Sequence, residues 1–167
     1  MRLTDKVHQI LKGHLKPGDY AIDATAGNGH DTLFLAEQVG ASGQVIAIDL
    51  QACAIESTRQ RLTASKVDDR VVLYEGDHAS QLESLVEGRS HQIAAVVFNL
   101  GYLPGSDRIV QTQPDNTRRA LNAAIRLLAT GGWLCVIAYR GHPGGTEEAR
   151  AVEDWMRTRQ SAGNRVE

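Results

Sequence analysis

Cysteine is scarce in this sequence. Cys53 and Cys135 stand far apart, each beside apolar neighbours. That excludes a disulfide framework and predicts two buried thiols in a reducing compartment. Neither has a cysteine or histidine partner at ligand spacing, so zinc is excluded and no metal is expected. Long apolar runs are absent too: none approaches the roughly 18 residues that a membrane span needs. The first ten residues are polar and charged, without the apolar stretch and small-residue cleavage site of a signal peptide, so the cytoplasm is the expected compartment. Strong charge of either sign is missing. A net charge of −2 argues against the basic coat of a general nucleic-acid binder. Repeats, low-complexity tracts and linkers are also missing, and 167 residues fit one domain over 1–167.

Hydrophobic residues make up 42% and charged residues 23% of the chain, the mix of an ordinary globule. The charge is unevenly spread. Residues 1–100 carry 9 Lys/Arg against 13 Asp/Glu, and residues 101–167 carry 9 against 7, every basic residue there being arginine. Arg108, Arg118, Arg119 and Arg140 could meet an anionic partner, although solvated surface arginines are the commoner explanation.

Short segments apolar on both faces recur at Tyr20–Asp23, 45–49, Val71–Glu75, 93–98 and 133–139, as in a parallel sheet covered on both sides. Helical stripes lie between several of them. Residues 31–39 align Leu35, Ala36 and Val39; Ala52–Ala64 aligns Ile55, Thr58 and Leu62; 116–128 aligns Ala120, Leu121, Ala124, Ile125 and Leu128. A leading helix is expected over 5–15 and a closing one near 146–160. Glycines 40, 43, 88, 101, 105, 131 and 132 punctuate the pattern. The alternation predicts an α/β fold, a Rossmann-like doubly wound, mostly parallel sheet. His8 and His14, on the leading helix, read as surface residues, and His30 and His91 as structural or surface ones.

The segment Asp23-Ala24-Thr25-Ala26-Gly27-Asn28-Gly29-His30-Asp31-Thr32 follows the first strand and opens a helix. Gly27 and Gly29 allow left-handed backbone and close ligand approach, and the helix start beyond them presents free N–H groups. Pyrophosphate or an amino-acid carboxylate would suit such a loop. A dinucleotide fingerprint needs a third glycine where Thr32 stands. Asp23 would repel pyrophosphate and suits an ammonium, which favours S-adenosylmethionine over NAD. Asp49, at the end of the second strand, can accept both hydrogen bonds of a ribose diol. Gln51 can support it and Leu50 can pack on an adenine face. After the third strand, Asp77 can read an adenine amino group and His78 can stack or bond nearby. Asn99 ends the fourth strand before Leu100-Gly101-Tyr102-Leu103-Pro104, similar to the N-P-P-Y element of amino-group methyltransferases. The Asn99 oxygen and a neighbouring carbonyl can accept the N–H groups of a neutral amine and aim its lone pair. Tyr102 offers a flat face for the base that bears it. The loop Tyr139-Arg140-Gly141-His142 lies at the same edge, where Arg140 could face a phosphate and His142 the amine; a plain connection before the last helix fits equally.

Four motifs in order, D-A-T-A-G-N-G-H-D-T-L-F-L-A, I-D-L-Q-x-x-A-I-x-x-T, F-N-L-G-Y-L-P-G-S-D and Y-R-G-H-P-G-G-x-x-E, resemble the MnmM (YtqB-type) tRNA methyltransferase family, once called rRNA methylases. The resemblance runs from about Gly18 to Glu148. It implies methylation of 5-aminomethyl-2-thiouridine at the tRNA wobble position, with the anticodon stem-loop as partner and S-adenosylmethionine as donor. It also implies Gly27, Asn28, Gly29, Asp31, Asp49, Gln51 and His78 for the cofactor and Asn99, Tyr102 and His142 for the acceptor. Ser106 replaces a glycine usual in the family. Longer members close with a strand hairpin that is not expected here after the last helix. A second copy of the chain is one candidate to cover the edge so left. Other acceptors, rRNA or a small amine, and a cofactor-binding protein without activity stay open on the residues alone.

Overall fold

In the computed structural model, which describes residues 2–101 and 113–167, apolar strands pair side by side because their covered faces leave no other partner. The strands are β1 (Tyr20–Asp23), β2 (Gln44–Asp49), β3 (Val71–Glu75), β4 (Ile93–Leu100) and β5 (Leu128–Ala138). They form one sheet in the order β3-β2-β1-β4-β5, every pair parallel. The order reverses between β1 and its two neighbours, β2 and β4. In open α/β sheets such a switch opens a crevice at the carboxyl ends of the strands.

The helices are α1 (Leu3–Lys12), α2 (His30–Val39), α3 (Ala52–Ala64), α4 (His78–Arg89), α5 (Pro114–Leu127) and α6 (Gly145–Ser161). Successive strand residues point to opposite faces, and the core splits accordingly. Ala21, Val45, Ala95 and Val97 meet Leu11, Leu35, Ala36, Val39 and Leu62 of the first three helices. Ile22, Ile46, Ile48, Val96 and Phe98 meet Leu82, Val86, Leu121, Leu127, Val152 and Trp155 of the last three. Each face buries an apolar layer, at about 25 cal/mol per Å² removed from water. Contrary to the expectation of strands covered on both sides, the edge strand β3 stays open, with Val72 and Tyr74 each 37% exposed.

Two elements depart from the sequence-based expectation. α4 was not anticipated. Its stripe of Ala79, Leu82 and Val86 is short, and Gly88 falls inside the final turn. β5 starts at Leu128, directly after α5, so Gly131 and Gly132 lie within a strand rather than before it. The register slips between Ile93, paired with Leu128, and Ala95, paired with Trp133. A Cβ on Gly132 would stand 2.9 Å from the carbonyl oxygens of Ala129 and Ile93, so the bulge requires glycine there. Cys135 is buried, its thiol pushed up to about 11 by that burial. Cys53 is exposed, contrary to the expectation of two buried thiols. Among the described residues no helix is long and apolar enough to cross a membrane, and no group of His, Cys, Asp and Glu could hold a metal ion.

Candidate active site

The switch point is where the glycine loop lies. Asp23 closes β1 fully buried, its carboxylate accepting the Thr25 N–H at 3.1 Å and the Thr32 hydroxyl at 2.6 Å. Burial first, then the nearby charge of Asp31, pushes Asp23 up to about 7. It does not line the cavity, so the ammonium partner expected for it is replaced by a task inside the loop: it ties the two ends of the turn together. The loop backbone is also fixed from both sides. Ala24 N–H donates to Val97 O at 2.9 Å and Ala26 N–H to Ile48 O at 2.8 Å. Gly29 has φ 77° and a Cβ there would fall 2.8 Å from Thr58 Cα. Both facts demand glycine. Gly29 therefore serves packing of α2 on α3 and, against expectation, is not among the cavity-lining residues.

Asp49 ends β2 with both oxygens engaged by main chain. Gly27 N–H donates to Oδ2 at 2.8 Å and Gln51 N–H to Oδ1 at 2.9 Å. Each oxygen keeps a second lone pair for a ligand. Gln51 then caps α3, and Leu50 stands 59% exposed beside the cavity. After β3, Asp77 caps α4: Oδ2 accepts the Ser80 N–H and hydroxyl, both at 2.8 Å, and Oδ1 accepts from Asn116. Burial pushes its carboxyl up, but the bonds from Ser80 and Asn116 outweigh this and hold it below the usual range. Asp77 lines the cavity, and its Oδ1, with one bond from Asn116, keeps a second lone pair of the kind the expected reading of an adenine amino group requires. His78 is buried, edge-on to Phe98 at 5.7 Å. Burial lowers its pKa despite the adjacent Asp77, so the ring is neutral. Its Nε2 has no hydrogen-bond partner among the described residues.

β4 delivers Asn99. Its backbone N–H donates to Thr25 Oγ1 at 2.7 Å and its Nδ2 to Asp31 Oδ2 at 3.3 Å. A carboxylate only accepts, so the amide must turn its NH₂ toward Asp31. Its carbonyl oxygen is the remaining polar atom of a side chain that lines the cavity. Beyond β5, Tyr139 and His142 complete this end. His142 lies beside Gly101 and Gly145; a Cβ on Gly145 would crowd it at 2.7 Å, whereas one on Gly101 would meet it at an ordinary 3.4 Å. Arg140, which could face a phosphate on the sequence alone, is not among the cavity-lining residues and forms an exposed ion pair with Glu153. Tyr102, Ser106 and Arg108 lie outside the described residues.

One cavity of about 750 Å³ joins these groups. Gly27, Asn28, Asp31, Asp49, Gln51, Asp77, His78, Asn99 and His142 line it, as the sequence led us to expect. Tyr139, Asn116, Gln113 and His30 line it too and were missed. Burial first, then Asp31, raises the Tyr139 hydroxyl above its ordinary value; burial and Arg61 lower His30. The largest miss is His8. Far from a surface residue without a partner, its Nε2–H donates to Asp31 Oδ1 at 2.6 Å and its ring stacks on Phe34 at 4.0 Å. His14 is exposed, as expected, with its ring 4.6 Å from that of Trp133. Only a partner 23 residues along the chain gives His8 its place, and no local pattern signals that.

The fold and site can now be set against known proteins. A family model described as "Putative rRNA methylase" matches residues 45–166, and one for protein-L-isoaspartate O-methyltransferases matches residues 2–84. The chloroplastic tRNA (mnm(5)s(2)U34)-methyltransferase of Arabidopsis thaliana is 40% identical over 91% of this chain. This chain spans 58% of that relative's length. The crystal structure of a "putative rRNA-methylase" from Clostridium thermocellum superposes with TM-score 0.87 at 38% identity, over 94% of this chain and 82% of that one. A "putative methyltransferase" of Streptococcus mutans in complex with SAH gives TM-score 0.79 at 34% identity, with the same coverage.

Proposed function

This chain belongs to the "Putative rRNA methylase" family, and we propose that it is an S-adenosylmethionine-dependent N-methyltransferase acting on the aminomethyl group of 5-aminomethyl-2-thiouridine at the wobble position of tRNA. The observation that carries this reading is a single cavity with two chemically different ends. Asp49 at the end of β2, His78 after β3 and Asn99 at the end of β4 all line it, the Asn99 amide turned by Asp31.

The donor set fits the cofactor. The remaining lone pairs of Asp49 suit a ribose diol, the exposed Leu50 an adenine face, and the unpartnered, neutral Nε2 of His78 a polar atom of a purine. When bound, S-adenosylmethionine supplies a methyl group on a positively charged sulfur. The protein's task is then to bring a neutral amine into line with that methyl. Asn99 Oδ1 accepts one amine N–H and so fixes the direction of the lone pair, a gain in orientation rather than in basicity. A strong base is unnecessary, because the donor is already activated. Tyr139, 44% exposed at the mouth, offers an aromatic face on which the uracil ring can lie. The anticodon stem-loop, with its unstacked wobble base, is the partner such a mouth admits.

The test is turnover by the purified protein on tRNA that carries 5-aminomethyl-2-thiouridine, with nucleosides read by mass spectrometry. We expect a gain of one methyl group on that nucleoside and none on ribosomal RNA. Methyl transfer to ribosomal RNA or to a free amine, with none to tRNA, would reassign the acceptor.

A further inference from the structure

The N-terminal helix reaches the acceptor end of the cavity through two side chains. His8, on α1, donates from Nε2 to Asp31 Oδ1 at 2.6 Å, and Asp31 Oδ2 accepts from Asn99 Nδ2 at 3.3 Å. Both carboxylate oxygens are thus spoken for, one by each neighbour. The ring of His8 lies flat on Phe34 of α2, 4.0 Å between centroids and 6° from parallel, so its donor direction is fixed by packing. Asp31 is itself buried in the first turn of α2. Beneath it, Asp23 shares the same pocket of charge and has its carboxyl pushed up to about 7 by burial and by Asp31.

We propose that His8 and Asp31 are a positioning pair for Asn99: the histidine anchors the carboxylate, and the carboxylate holds the Asn99 amide with its carbonyl oxygen directed to the acceptor amine. The proposal rests on the acceptor reading of Asn99 given above and adds to it a part for α1, which lies outside residues 45–166 of the family match. Neither His8 nor Asp31 touches the reacting atoms in this scheme. Without His8 the carboxylate can rotate about its side-chain bonds, the amide loses its fixed orientation, and the amine is held in several directions instead of one. A misplacement of this kind slows the chemical step and leaves cofactor affinity alone.

The experiment compares full-length wild type with His8→Phe and His8→Gln. Phenylalanine keeps a flat ring for Phe34 but donates nothing; glutamine restores an N–H near the original Nε2. Three readouts are taken: kcat and KM on the aminomethyl-thiouridine tRNA, S-adenosylhomocysteine affinity by calorimetry, and the ¹⁵N side-chain amide signal of Asn99, assigned by its loss in Asn99→Ala. For His8→Phe we expect kcat to fall about tenfold with cofactor affinity unchanged and the Asn99 amide signal to move. In His8→Gln both should return most of the way to wild type. A folded His8→Phe with wild-type kcat and an unmoved amide signal overturns the pair, as does His8→Gln no better than His8→Phe. Should His8→Phe not fold, His8→Leu against His8→Gln makes the same comparison. Absence of turnover by the wild type would strike the proposed function alone, since the amide signal still decides whether His8 controls Asn99.

Discussion

At the glycine-loop end of the cavity the restraints act mostly through main-chain groups, joined by the side chains of Arg61 and Thr58, which donate to its carbonyls. Gly27 and Gln51 N–H hold Asp49, Val97 and Ile48 carbonyls hold the loop, and Arg61 donates to Asn28 O at 2.7 Å. At the Asn99 end the restraints are side chains: Thr25 Oγ1, Asp31, and through it His8. The first kind of site is rigid because strands and a helix start fix the peptide groups. The second depends on rotamers, each of which can be lost by one substitution. The difference teaches that the proposed cofactor side is a property of the fold, whereas the proposed acceptor side is a property of a few chosen side chains on it.

The strongest way to break the comparison is at Asp49. Replacing it with alanine removes the ligand's acceptor and the carboxylate that braces Gly27, and should cost about 3 kcal/mol of S-adenosylhomocysteine affinity. Calorimetry that finds equal affinity would remove Asp49 from the cofactor end. Next comes Asn99→Ala, which should leave that affinity alone and lower kcat by about 2 kcal/mol of transition-state stabilisation, roughly thirtyfold. Single-turnover rates decide it; a loss of cofactor binding instead would show that the two ends are not separate. The smallest effect is a slope. A carboxyl whose pKa rises on folding favours the folded state while protonated. The Asp23 contribution is therefore full below the ordinary value of 3.8 and is lost as pH rises through about 7. Urea unfolding over that window should show wild-type stability declining more steeply with rising pH than that of Asp23→Asn. Parallel curves would deny that Asp23 is held protonated.

Much of the cofactor end was legible before any fold was known. Its residues sit within a few positions of strand ends and glycines, and strand ends of an alternating α/β chain are marked locally by a change of period. Asp49 and Asn99 both stand at strand ends and line the cavity. Gly29 shows the limit of such local reading: the sequence marks a glycine at a turn but not the Thr58 backbone pressing against it. Asp77 carried a helix-cap signal, with Ser80 three residues on, yet α4 behind it was missed because its apolar stripe is brief. The pair of glycines at 131 and 132 suggested a break where the sheet needed a bulge.

The alternation of strands and helices, α4 apart, the glycine loop after β1 and the carboxylates at strand tips were determined by the sequence alone, since each follows from spacing within one element and its turn. What only the tertiary structure decided is which distant side chains share a hydrogen bond. His8, Asp31 and Asn99 lie on three separate elements. Their meeting follows from α1 packing against α2 on one sheet face while β4 ends beside the same loop, a consequence of layers closing on a core that no stretch of sequence contains.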